Sequence, residues 1–139
     1  MSEPAKADYP RPTRTPANAP LLDAWADGRL QLQQCEACDA KVFFPRELCP
    51  RCWSPRLRWI ASPGRGSVVS FTRIHRHIHE AFAEEAPTLL AEIALDDGWL
   101  MIARLLARNG DAVASGTRVE LVTLPDAARY PLPTFRAIE

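Results

Sequence analysis

CEACDAKVFFPRELCPRC, residues 35–52, sets two C-x2-C pairs ten residues apart in a chain with no other cysteine. Thiolates at C-x2-C spacing reach one ion from a tight turn, and Zn²⁺ takes four ligands in a tetrahedron. Cys35, Cys38, Cys49 and Cys52 meet that demand with no residue to spare. A catalytic zinc keeps a position open for water or substrate, and four cysteines leave none. The pattern therefore implies a structural metal. Such a metal contributes on the order of 10 kcal/mol to folding in small peptides, which a segment of this size cannot gain from its own core. Between the pairs, Val42, Phe43 and Phe44 are expected to form a strand that Pro45 ends.

The same spacing also fits iron in an electron carrier. Knuckles of that kind usually place glycine just after the second cysteine, so that backbone amides can turn toward sulfur. Asp39 and Trp53 stand there instead. Aspartate tolerates a left-handed backbone moderately and tryptophan poorly. This weighs against iron and predicts a distorted second knuckle.

Outward from the cage, 139 residues suffice for one domain, or one domain with a small metal-stapled lobe. The N-terminus, MSEPAKADYPRPTRTPANAP, lacks the apolar stretch of a secretory signal, and no apolar run spans a bilayer. A cytoplasmic chain with reduced cysteines is the expectation. Net charge is zero, from 17 basic and 17 acidic residues, but the charges segregate. Residues 41–76 hold eight bases and one acid, Glu47, whereas residues 77–111 hold seven acids against Arg104 and Arg108. A basic face attracts phosphate, of a nucleic acid or of a nucleotide-tailed molecule such as coenzyme A. Arginines that offset the −2 of a zinc tetrathiolate explain the same excess equally well.

Residues 1–19, with prolines at 4, 10, 12 and 16, read as a disordered tail. Residues 20–32 read as a docking segment, with a helix over PLLDAWADGRL (20–30). Pro20 opens it, Leu21, Leu22 and Trp25 share a face, and Gly28 supplies a stop. Too short to stand alone, this helix must dock on its own domain or on another chain. The zinc ribbon is assigned to residues 33–61. SPGRG at 62–66 then opens a second unit, 62–139, in which the pattern becomes that of strands. GSVVSFTRIH, TLLAEIAL, WLMIARLL, TRVELVTL and TFRAI are its five candidates, with Asp96-Asp97-Gly98 as a hairpin turn. Five short strands point to a small antiparallel barrel, which removes exposed edges. The fold class is thus mainly β: a short N-terminal helix, a zinc ribbon and a five-stranded barrel.

Other chemistry-bearing residues carry less. His75, His77 and His79 share one side of an extended strand, but neighbours about 7 Å apart do not converge on one ion unaided. Glu92 sits in an apolar run, either buried or facing outward as a surface or interface residue. Gly64-Arg65-Gly66 lacks the third glycine and the helix of a dinucleotide fingerprint and reads as a tight lead into the first barrel strand. Arg65 is a candidate phosphate contact. No GxSxG elbow, P-loop or HExxH occurs, and the cage leaves no cysteine to act as nucleophile.

Taken together, residues 21–138 resemble the OB-fold proteins with a rubredoxin-like zinc ribbon that are associated with acyl-CoA enzymes. The resemblance runs through Trp25, Gly28-Arg29-Leu30, Gln34-Cys35, Phe44-Pro45-Arg46, Cys49-Pro50-Arg51-Cys52, Gly64-Arg65-Gly66, Ser70-Phe71-Thr72 and Pro87. AEIALDDGWLMIARL and the lack of a helix between the third and fourth strands also fit. It implies a non-catalytic accessory subunit beside a thiolase-superfamily enzyme, an acyltransferase or thiolase-like aldolase, whose coenzyme A site it helps to form. A hot-dog-fold enoyl-CoA hydratase is the alternative partner. Binding of single-stranded nucleic acid competes with both, since zinc ribbons and OB folds often serve it. That role needs exposed strand aromatics in a basic groove, and Phe71 and Trp99 are the clear ones available.

Overall fold

The computed structural model describes residues 9–76, 79–85, 88–107, 112–123, 127 and 130–138. They are mostly strand, with one short helix at the start. α1 (Ala19–Ala26) has Pro20 in its first turn and buries Leu21, Ala24 and Trp25, while Leu22 is half-exposed. It ends at Ala26, short of the expected Leu30. Gly28 stands at φ +74° and turns the chain, and a Cβ there would lie 3.0 Å from the Thr123 carbonyl. The helix docks on its own domain. Leu21 joins the main core, and the Trp25 indole N–H donates to the Tyr130 carbonyl at 3.0 Å.

Part of the segment expected to be a disordered tail is ordered against the rest. Tyr9 packs on Phe82 and Tyr130 with ring centroids 5.3 and 5.2 Å away, and Arg14 Nη2 bonds Asp23 Oδ2 at 2.8 Å. Tyr9 is the apolar anchor that the proline-rich composition hid. Residues 1–8 lie outside the described residues.

The ribbon is a three-stranded antiparallel sheet, order β2-β1-β3, of β1 (Leu30–Cys35), β2 (Lys41–Val42) and β3 (Leu57–Ser62). β2 stops before the expected Phe43 and Phe44: Phe43 turns onto the core, and Phe44 is exposed. The barrel comprises β4 (Arg65–Ile74), β5 (Thr88–Leu95), β6 (Leu100–Leu106), β7 (Arg118–Leu121) and β8 (Thr134–Ala137), closed in the order β4-β5-β6-β8-β7. It is not wholly antiparallel. A ring of five strands cannot alternate direction all the way round, and β6 runs parallel to β8. A 3-10 helix over Glu80–Glu85, absent from the sequence expectations, follows β4.

Alternation along β5 shows why the barrel closes. Leu89, Ala91, Ile93 and Leu95 point inward, while Leu90, Glu92 and Ala94 face out. Glu92 is therefore an outward residue, opposite Ser70 and Ile102. Val68, Met101, Ala103, Leu105, Val119 and Phe135 complete the interior, each contributing roughly 1–3 kcal/mol according to size. The same cluster takes in Leu21 of α1 and Leu30 and Leu32 of β1, so ribbon, helix and barrel share one core. Trp99 locks them together. It is 2% exposed, its indole N–H donates to the Gln33 carbonyl at 2.8 Å, and Lys41 Nζ lies 4.2 Å from its ring.

Candidate metal centre

Two knuckles of matching construction hold the four cysteines. In the first, Ala37 N–H points at Cys35 Sγ (3.3 Å), Asp39 N–H donates to Cys35 O (3.0 Å), and Cys35 N–H donates to Ala40 O (2.9 Å). In the second, Arg51 N–H points at Cys49 Sγ (3.4 Å), Trp53 N–H donates to Cys49 O (2.8 Å), and Cys49 N–H donates to Ser54 O (2.9 Å). The turns require a left-handed residue after the second cysteine, and Asp39 (φ 63°) and Trp53 (φ 67°) supply it. The expected distortion of the second knuckle is not found. Trp53, 76% exposed, is held in this backbone conformation by the same pair of main-chain bonds that closes the first knuckle.

All four sulfurs lie within 4.8 Å of one another, with Cys35–Cys52 at 3.5 Å and Cys38–Cys49 at 3.6 Å. Zinc–sulfur bonds of about 2.3 Å at tetrahedral angles place ligand sulfurs about 3.8 Å apart. The cage therefore fits zinc. Its acid–base character agrees. Burial opposes ionisation of Cys49, but N–H groups of Cys52 and Arg51 and the neighbouring thiols bring it down to about 7. At Cys38 a backbone bond from Ala40 favours the thiolate, yet desolvation and the sulfurs of Cys52, Cys49 and Cys35 outweigh it and push the thiol up to about 12. Four thiolates so close need a divalent cation to exist together. Among the described residues this is the one cluster of histidine, cysteine or carboxylate side chains with metal-binding geometry.

Gln33 and Gln34 carry a role the sequence reading missed. Gln33 is 3% exposed and clamps the chain between the knuckles, donating to Arg46 O (3.0 Å) and accepting from Arg46 N–H (2.8 Å). Gln34 Nε2 donates to Asp39 O at 3.2 Å and its Oε1 accepts from Arg58. The sequence offered only two glutamines beside the first ligand; their burial appears in the fold alone.

The other candidates do not assemble into a site. β4 ends at Ile74, so His75 lies beyond it, and His79 accepts from Ala81 N–H through Nδ1 at the start of the 3-10 helix. His77 lies outside the described residues. Arg65 is exposed at the first position of β4, between Gly64 and Gly66, and stands near Asp96. Trp99 is a core residue, which leaves Phe71 as the accessible member of the stacking pair that nucleic-acid binding would use. Among the described residues no helix is long and apolar enough to cross a membrane.

Residues 22–58 match the family model described as the rubredoxin-like zinc ribbon domain of ChsH2, and residues 59–124 match the ChsH2 C-terminal OB-fold domain. A solved structure described as the Ltp2-ChsH2(DUF35) aldolase contains a chain 30% identical to this one. The match has a TM-score of 0.75 and covers 91% of this chain and 98% of that one. A probable enoyl-CoA hydratase alpha subunit from Thermomonospora curvata is 32% identical over 131 residues, 94% of this chain and 40% of the relative. A DUF35 domain-containing scaffold protein from Pyrococcus furiosus is 31% identical over 91 residues, 65% of each chain. This chain thus spans less than two thirds of the length of these two curated relatives.

Proposed function

Because the chain belongs to the ChsH2-type DUF35 family of zinc-ribbon and OB-fold proteins, we propose that it is a non-catalytic accessory subunit. Its partner in this reading is a thiolase-superfamily enzyme, an acyltransferase or thiolase-like aldolase, whose acyl-CoA site it helps to form. The likeness along 98% of a chain in an aldolase complex carries the reading. The name of the Pyrococcus furiosus relative, a scaffold protein, supports it.

Cys35, Cys38, Cys49 and Cys52 bind zinc in this account, and the zinc is structural. Filling all four positions with sulfur leaves none for water or substrate, so the ion cross-links two knuckles and does no chemistry. A cytoplasmic setting, where cysteines stay reduced and available to metal, goes with this reading. Metal analysis is expected to find one zinc per chain. Iron and visible colour would instead indicate an electron carrier. Arg65 is proposed as a contact for a coenzyme A phosphate, and Arg65→Glu should raise the KM for the thioester in the assembled enzyme while leaving kcat unchanged.

Co-expression with a thiolase-superfamily enzyme of the acyltransferase or thiolase-like aldolase type tests the central claim. One shared peak in size-exclusion chromatography is expected, and separate elution at micromolar concentration would overturn it. A second reading, partnership with a hot-dog-fold enoyl-CoA hydratase, is favoured by the hydratase name of the Thermomonospora curvata relative. Competition between the two enzymes for the tagged chain distinguishes them.

A further inference from the structure

Among the described residues, β4 is flanked on both sides only over its first half. β5 accompanies one edge from Gly66 to Ile74. On the other edge β7 pairs with Arg65–Ser67, and the last bonds run from Val68 N–H to Thr117 O (2.9 Å) and from Gly116 N–H to Val68 O (2.7 Å). From Val69 to Ile74 that second edge has no backbone partner among the described residues, and all six residues are exposed. Six residues make a bare edge of about 20 Å. Every second residue there presents its N–H and C=O to water, a template for another strand.

Folded proteins usually blunt such an edge with proline, charge or a bulge. Here the bulge lies at the start, between Val68 and Ser70, Arg73 supplies a single charge, and the run contains no proline. Three of the six residues are apolar and open to solvent: Val69 (41%), Phe71 (36%) and Ile74 (37%).

We propose that the free edge of β4, residues 69–74, is a docking strand, and that an extended segment of the partner enzyme adds to the barrel beside it. The proposal rests on the accessory-subunit reading and says where that contact is made. Charge selects the occupant. Residues 69–76 include Arg73 and Arg76 and no acid, so the segment carries a carboxylate. Register refines this further. Phe71 and Arg73 point to one face and Ser70, Thr72 and Ile74 to the other, so the segment sets an apolar and an acidic side chain two residues apart on the first face. A second copy of this chain fits worse, because its own 69–74 edge would bring a second Arg73 and no carboxylate to meet the first.

Hydrogen–deuterium exchange read by mass spectrometry tests this, on the full chain alone and with the co-expressed thiolase-like enzyme. In the isolated chain the outward amides of 69–74 should exchange fast, and in the complex they should slow by about tenfold or more. Arg73→Glu, an exposed change, should keep zinc content and melting temperature while weakening the complex by about tenfold, a loss that shrinks in high salt. Arg73→Lys should keep most of the affinity. A complex in which 69–74 exchange as in the free chain overturns the docking strand and leaves the accessory role standing. Failure to form a complex overturns both. Protection already present in the isolated chain overturns the docking strand too, since the edge would then be covered by this chain's own residues or by a second copy.

Discussion

Gly66→Ala tests how the barrel closes. Gly66 is the second residue of β4, paired with Leu95 on one side and Val119 on the other, so three strands meet at its backbone. A Cβ at this position would stand 2.3 Å from the Ala94 carbonyl oxygen and 2.9 Å from Leu95 Cα. Real carbon–oxygen contacts need roughly 1 Å more than that first distance. Both obstacles are backbone, so no side chain can swing aside and the β4–β5 ladder itself must open. Overpacking of this kind costs typically 1–3 kcal/mol, and each ladder bond lost adds about 1 kcal/mol. The sum is about 3 kcal/mol, or roughly 10 °C in melting temperature for a chain of this size. Gly116→Ala is the control. It has φ +92° but nothing within 4 Å of its Cβ, so it bears only the backbone strain of about 1–2 kcal/mol. Thermal unfolding of zinc-loaded protein compares them. Gly66→Ala melting no lower than Gly116→Ala would refute the steric account of closure.

Three further outcomes follow from the same contacts. Trp53→Gly should stabilise the zinc-loaded chain by up to about 1 kcal/mol, because relief of a left-handed tryptophan exceeds the chain entropy that glycine adds; a denaturant midpoint that falls instead would mean the exposed indole packs on the ribbon. Gln33→Ala removes both bonds to the Arg46 backbone, at about 1 kcal/mol each, and should speed zinc loss to a chelator measured with a colorimetric indicator. The Asp96 carboxylate is held below its usual range by its hydrogen bonds to Arg118, at 2.8 and 2.6 Å. A depressed carboxylate contributes stability above its ordinary value of 3.8 and loses it as pH falls through the folded value, so an Arg118→Ala deficit seen at pH 7 should shrink below about pH 3.8. The pair is exposed and the effect small, and an undiminished deficit at pH 3 would assign it to the Arg118–Ser67 bond instead.

The metal cage was legible because its information is local. Ligand type, number and two short spacings specify a four-thiolate cage with closed coordination without reference to the rest of the chain. The barrel strands were legible for a related reason: a two-residue apolar period, as along β5, marks a half-buried strand wherever it occurs. Less could be read of the clamp that holds the cage. Gln33 looks like any polar strand residue until Arg46, thirteen positions away, is folded over it. Trp99 read only as a strand aromatic for the same reason, since the Gln33 carbonyl that receives its N–H is 66 residues distant.

By itself the amino-acid sequence determined four sulfur ligands, a ribbon, a short helix and five strands, along with a resemblance strong enough to name the family. Only the tertiary structure decided where Tyr9 and α1 lie, that Trp53 accepts a left-handed backbone, that β6 and β8 run parallel, and that one edge of β4 has no partner among the described residues. The first set depends on spacing over a few residues. The second depends on which distant segments arrive beside one another, and chain-local chemistry carries no record of that.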